Sequence, residues 1–172
     1  SSYKKKTIKK FIDNYSYKNK LPRLISSYES TRLETGGGIK NALAFFQSQQ
    51  ILAINGDSIL IKELNACPVT SLFKNFNPNK MDILLLLCPL KKCVGHNGKG
   101  DYTKTSKRHV SLIRRNISLN NEALVFTGWQ IIKKSLIKET KLKKFSLNIL
   151  FDKAEKEKKL YGTILNGNFL HI

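Results

Sequence analysis

Leu33-Glu34-Thr35-Gly36-Gly37-Gly38, followed after a short apolar segment by Ile51-Leu52-Ala53-Ile54-Asn55-Gly56-Asp57, is the part of the chain whose reading decides the fold. It runs from a polar lead-in through three glycines to a short apolar helix, then a buried strand with an acid just past its end. Adjacent glycines let backbone N–H groups come close to a flat base or a phosphate, because no Cβ intervenes and positive φ is available. An aspartate beyond the carboxyl end of an apolar strand stands where open α/β sheets bind ligands, and it carries the hard oxygens that magnesium prefers. Each half also has a plainer reading. Three glycines make a flexible turn, and Asn-Gly-Asp is a good turn sequence whatever follows it.

Outward from this stretch, the chain alternates helical and strand patterns. Tyr3 to Asn14 places Ile8, Phe11 and Ile12 at helical spacing with lysines between them. Tyr15 to Lys20 reads as a polar turn, and Pro22 leads into a short strand at Leu24 to Tyr28. Glu29 to Gly38 reads as a loop and Ile39 to Ser48 as a helix whose N-terminus faces the glycines, a position that favours an anion. Ile51 to Asn55 is a buried strand and Lys62 to Leu72 a helix, with Asn77-Pro78-Asn79 as the next turn. Asp82 to Cys88 is the clearest central strand, apolar on both faces as parallel strands tend to be.

From Lys91 to Asn121 the texture turns to glycine, lysine and serine, which reads as an exposed loop followed by antiparallel hairpins. Leu124 to Thr127 is expected as a strand, and Trp129 to Ile137 as a helix. Leu147 to Lys158 follows as another helix with Ser146 at its N-cap. Tyr161 to Leu165 and Phe169 to Ile172 would pair around Asn166-Gly167-Asn168. The expected class is α/β, a Rossmann-like, mostly parallel sheet with flanking helices and a small antiparallel hairpin region. No repeat or flexible linker divides residues 1–172, so one domain is expected.

Composition bounds the function classes. Hydrophobic residues at 41% and charged residues at 25% describe a globular chain with a real core. The longest apolar run, Ile83 to Leu90, is far short of the ~20 residues that cross a bilayer. The basic start lacks the apolar core of a signal peptide. A cytoplasmic protein with no membrane partner is the expectation. The 31 Lys+Arg against 12 Asp+Glu, formally +19, would attract polyanions. Yet the charge is mostly lysine, spread over many segments with no aromatic ladder, so a nucleic-acid partner is not expected. Cys67, Cys88 and Cys93 form no disulfide framework, and Cys88, Cys93 and His96 lack the paired spacing of a zinc site.

The opening stretch resembles the sugar-1-phosphate nucleotidyltransferases, and within them the branch that holds N-acetylmuramate-1-phosphate uridylyltransferases and proteins labelled mannose-1-phosphate guanylyltransferases. Met81 to Leu87, Gly100-Asp101-Tyr102, Phe126-Thr127-Gly128, Phe145 to Asn148 with Phe151 to Ala154, and Leu160-Tyr161-Gly162 resemble further blocks in the same order. The resemblance implies that a sugar 1-phosphate attacks the α-phosphorus of a nucleoside triphosphate and releases pyrophosphate, with Mg2+ as cofactor. It implies Glu34, Thr35, Gly36, Gly37 and Gly38 around the nucleobase and ribose, and Asn55 facing the nucleoside. Asp57 would be the catalytic magnesium ligand. Gly100, Thr127, Gly128 and Asp152 would border the sugar. His171 stands where many members place a second metal-binding aspartate. The family's N-terminal strand and triphosphate-gripping loop are not found ahead of Ser1, so a truncated form with little activity alone is expected, its sheet incomplete at the N-terminus and open to a separate N-terminal fragment. The alternative expectation is a non-catalytic remnant that acts as a basic nucleic-acid-binding or complementation partner.

Overall fold

A computed structural model describes residues 5–18, 24–62, 67–116 and 122–171. The chain divides into two compact units, residues 1–49 with 134–150 and residues 50–133 with 151–172. Pro22, Ile172 and parts of the expected Tyr3, Tyr15 and Lys62 segments lie outside the described residues.

The larger unit is built on the apolar run. Ile83 to Cys88 are at most 1% exposed and form β3 (Ile83–Pro89), which is the buried strand that the sequence predicts. It lies in a six-stranded sheet with β1 (Gln50–Ile54), β5 (Tyr102–Lys104), β6 (Val110–Arg115), β7 (Leu124–Lys133) and β8 (Leu160–Ile164), in the order β1-β7-β3-β8-β6-β5. β3 and β8 run parallel, and the other described pairs in this sheet are antiparallel, so the sheet is mixed. One face is covered by α3 (Pro68–Asn75). Its Leu72 joins Phe76, Met81, Leu84, Leu86, Val125, Ile131 and Phe169 in a single apolar cluster. A smaller sheet has the order β2 (Ser58–Lys62), β9 (Gly167–His171), β4 (Cys93–Val94). The α/β class with a Rossmann-like sheet, flanking helices and a small second sheet is thus the class observed.

Three elements differ from the sequence reading in this unit. The segment expected as a helix from Trp129 continues β7 as strand to Lys133. The register against β3 slips between Leu85 and Leu87, so that Gln130 pairs with Leu85 and Phe126 with Leu87. Gly128 sits at the slip with φ 81. A bulge of this kind breaks the period-2 pattern that marks a strand in sequence. The expected pairing of the two last strands does not form either, because β8 pairs with β3 and β6 while β9 pairs with β2 and β4. Finally, Ser58 to Lys62 is the strand β2, and α3 starts only at Pro68, whose fixed φ suits the first helical turn.

The smaller unit contains α1 (Lys5–Lys18), α2 (Glu34–Asn41), a 3-10 turn at Leu43–Phe45 and α4 (Lys134–Glu139). α5 (Asn148–Lys156) begins in it, with Ser146 Oγ accepting from Asn148 N at 3.3 Å, as expected of the N-cap. Leu24 to Tyr28 is not a strand. The glycines do not precede a helix but lie inside one. A helix accepts glycine at a cost of about 1 kcal/mol each relative to alanine, and here the missing Cβ atoms make room for residues 143–145.

Candidate functional site

In the smaller unit the glycine helix is clasped by its own chain. Gly37 N donates to Phe145 O at 3.1 Å, and Phe145 N donates to Leu33 O at 3.1 Å. Gly36 and Gly37 are buried, and an added Cβ would collide with the Phe145 ring at Gly36 and with the Lys143 carbonyl at Gly37. Gly38 faces the Glu29 carboxylate. Glu34, at the head of α2, is exposed with φ 62, a left-handed conformation that a non-glycine residue adopts only under local strain. Thr35 is exposed beside it. Next to this helix is a cleft of about 300 Å³, lined by Tyr28, Glu29, Leu33, Gly37, Lys40 and Lys143. Lys40 Nζ donates to the carbonyls of Thr140 and Leu142 and so ties the helix to the 140–142 segment.

In the larger unit, Asn55, Gly56 and Asp57 form the exposed turn that leaves β1. Asn55 N donates to Gly128 O at 3.0 Å, and Ser58 N closes the turn on Asn55 O at 3.4 Å. A Cβ at Gly128 would lie 2.5 Å from Ser58 Oγ and 2.8 Å from Asn55 Cβ, so this glycine is the floor against which the turn packs. Ser58 pairs with His171 across β2 and β9, which places Asp57 and His171 at the same end of the small sheet. His96 joins them from the loop after β4. Its ring meets His171 edge-on, with centroids 6.2 Å apart. Gly95 is held against the His171 carbonyl with φ 79. Sequence reading did not single out Ser58 and weighed His96 only as a zinc ligand with Cys88 and Cys93. No spacing signal could have found them, because the three-strand order β2-β9-β4 alone brings residues 58, 96 and 171 together.

The residues expected at the sugar fall at three places in the same unit. Gly100, with φ 83, packs on Ala123, and Asp101 beside it accepts from Phe126 N at 2.8 Å. Thr127 is fully buried, and its hydroxyl donates to Leu86 O at 2.9 Å within the bulge. Asp152, on α5, pairs with Arg115 at 2.9 Å. The guanidinium of Arg115 lies 5.0 Å from the centre of the Tyr102 ring. Burial pushes the Tyr102 phenol up from its ordinary range. For Arg115, burial acts against the charge, but the Asp152 hydrogen bond leads the effects that hold its pKa up.

Magnesium keeps several waters and takes one or two carboxylates together with phosphate oxygens. The exposed Asp57 carboxylate fits that role. Histidine is a poorer magnesium ligand, and among the described residues no group of three His, Cys, Asp or Glu side chains is arranged to hold a metal. A metal here would therefore draw most of its coordination from substrate and water. The cysteines are free, Cys88 buried and Cys67 exposed, and no helix among the described residues is long and apolar enough to cross a membrane.

This Rossmann-like fold is also seen in solved structures of other proteins. HddC from Yersinia pseudotuberculosis superposes with TM-score 0.67 at 21% identity, over 99% of this chain and 70% of that one. The UTP-bound UGPase from Acinetobacter baumannii does so with TM-score 0.66 at 10% identity, over 95% of this chain and 61% of that one. In sequence, the chain is 29% identical over 152 residues to the N-acetylmuramate alpha-1-phosphate uridylyltransferase of Caulobacter vibrioides, which covers 88% of this chain. The chain spans 61% of that relative's length. No family model matches it.

Proposed function

We infer that the chain carries the nucleotide- and sugar-side portion of a sugar-1-phosphate nucleotidyltransferase, which joins a nucleoside triphosphate to a sugar 1-phosphate and releases pyrophosphate. The observation that carries the reading is the 29% identity to a uridylyltransferase over 88% of the chain. The packing of the Asn55–Ser58 turn on Gly128 supports it, since that turn presents Asp57 to solvent beyond the end of β1.

In this reading a phosphate oxygen of the sugar 1-phosphate attacks the α-phosphorus, and the bond to the β-phosphate oxygen breaks. The work of the protein is then alignment and charge neutralisation. Asp57 would hold Mg2+, which when bound would screen the phosphate oxygens, and His171, paired with Ser58, orders the far side of the same turn. Asn55 faces the nucleoside. Glu34 and Thr35 contact the base and ribose, with Gly36, Gly37 and Gly38 giving the helix its close packing on residues 143–145. Gly100, Thr127 and Gly128 set the β7 backbone that borders the sugar, and Asp152 fixes Arg115 there.

The test is pyrophosphate release from UTP or GTP with N-acetylmuramate 1-phosphate or mannose 1-phosphate, with the nucleotide sugar confirmed by mass. The expected result is a slow, magnesium-dependent product from the 172-residue chain, faster when a polypeptide carrying the relative's remaining length is added. Turnover by the chain alone within the usual enzyme range of roughly 1–1,000 per second contradicts the slow-turnover part. The absence of product under either condition contradicts the whole reading. A second reading, a non-catalytic basic module, rests on the +19 charge. It requires oligonucleotide binding that falls steeply with salt while no nucleotide sugar forms.

A further inference from the structure

We propose that the larger unit has a second anion site, a cleft that takes a phosphorylated small molecule of mononucleotide size. The cleft, of about 550 Å³, is lined by the end of α3 and the turn after it, by Val110 of β6 with Arg108 before it, and by Tyr161 of β8. Lys74, Lys80 and Arg108 line it together with Asn77, Phe76 and Tyr161, and no carboxylate does. Among the described residues no ion pair engages any of the three cations.

Three unpaired cations around one concavity repel one another and focus a positive potential into it, and an anion relieves both effects. The walls are suited to more than a bare ion. Phe76 and Met81 belong to the apolar cluster, and Tyr161 packs on it while half-buried, so one wall offers an aromatic edge. Asn77 Oδ1 accepts from Asn79 N at 3.0 Å, which leaves the Nδ2 end of that amide as a further donor. The cleft falls within the size range of small-ligand pockets. A second cleft lined by lysines, with Lys91, Lys104 and Lys107, includes the acid Glu122 and is electrostatically weaker as an anion site.

This site is separate from the turn that carries Asp57. β1 and β3 are both antiparallel to β7, so they run in the same direction. Asp57 follows the carboxyl end of β1, whereas Met81 precedes β3 and Tyr161 begins β8. Val110, two residues after Arg108, pairs with Thr163 near the carboxyl end of β8, so the separation comes from the sheet order, in which β8 and β6 stand three and four places from β1, and the inference does not depend on the nucleotidyltransferase reading.

The test is calorimetric titration of the chain with pyrophosphate, UTP and ATP in EDTA, at fixed ionic strength, so that metal-dependent binding is silent. The paired variant Lys80→Gln/Arg108→Gln is compared with the charge-matched Lys104→Gln/Lys107→Gln. Circular dichroism and thermal unfolding confirm that each is folded, and Arg108→Gln alone serves if the pair is not. Expected are nucleotide affinity at least tenfold above that of pyrophosphate, a tenfold or greater loss in the Lys80/Arg108 variant and less than twofold change in the charge-matched variant. Equal losses in the charge-matched variant mean diffuse charge and overturn the proposal. Equal affinity for pyrophosphate and nucleotide removes the role given to Tyr161 and Phe76. Single-stranded oligonucleotide bound tenfold tighter than UTP through the same residues overturns the small-molecule assignment in favour of nucleic acid.

Discussion

At the scale of single residues, Gly128 decides the geometry of the candidate site. Its φ of 81 and its contact with Asn55 and Ser58 leave no place for a Cβ. Gly128→Ala is therefore expected to destabilise the chain by about 1–3 kcal/mol, measured by denaturant unfolding, and to displace the Asn55–Ser58 turn. Unchanged stability would contradict the packing described for that turn. Cys93 gives a pH prediction. Burial, with the neighbouring Cys88 and Asp101 adding to it, pushes its thiol from the ordinary 9.0 up to about 12. The folded state thus keeps a proton that the unfolded state loses above pH 9. This contribution to stability is complete below pH 9 and falls as pH rises toward 12. Unfolding followed from pH 8 to 10.5 should show a decline that is smaller in Cys93→Ser. The same shift predicts slow alkylation of Cys93 in the native chain at pH 8 and fast alkylation after unfolding.

At the scale of elements, what the sequence reveals depends on whether an element is determined locally. β3 was legible because eight apolar positions in a row need no partner to declare a buried strand, and α5 because Ser146 stands at its cap. β7 was not, because the bulge at Gly128 interrupts its alternation and the helical tail of the pattern belongs to α4, which starts only at Lys134. The glycine helix was hidden for a different reason. Three glycines are intrinsically poor helix formers, and what holds them is Phe145, more than a hundred residues away in sequence. The site followed the same division. Asn55 and Asp57 were readable as a turn after a strand, while the approach of Ser58, His96 and His171 follows from strand order alone. Within the sheet, Asp82 accepts from Lys133 Nζ at 2.7 Å and lies 3.5 Å from Lys159 Nζ, almost fully buried. Asp82→Ala removes a charged hydrogen bond at the start of β3, with an expected loss of about 1.5–3 kcal/mol. A loss below 0.5 kcal/mol would reduce the pair to a surface contact.

At the scale of the whole molecule, a chain with +19 formal charge should bind anions of many kinds, so specificity must be read from magnesium dependence and from single-residue variants. The central claim is that the Asp57 turn serves a magnesium nucleotide. The most direct measurement is thermal unfolding of the purified chain with each nucleoside triphosphate, with and without magnesium, and with Asp57→Asn alongside. The account predicts a transition that one nucleotide raises by several degrees only when magnesium is present, with that increment lost in Asp57→Asn while the transition without ligand is unchanged. A transition that no magnesium nucleotide raises, or one raised equally in Asp57→Asn, would contradict it.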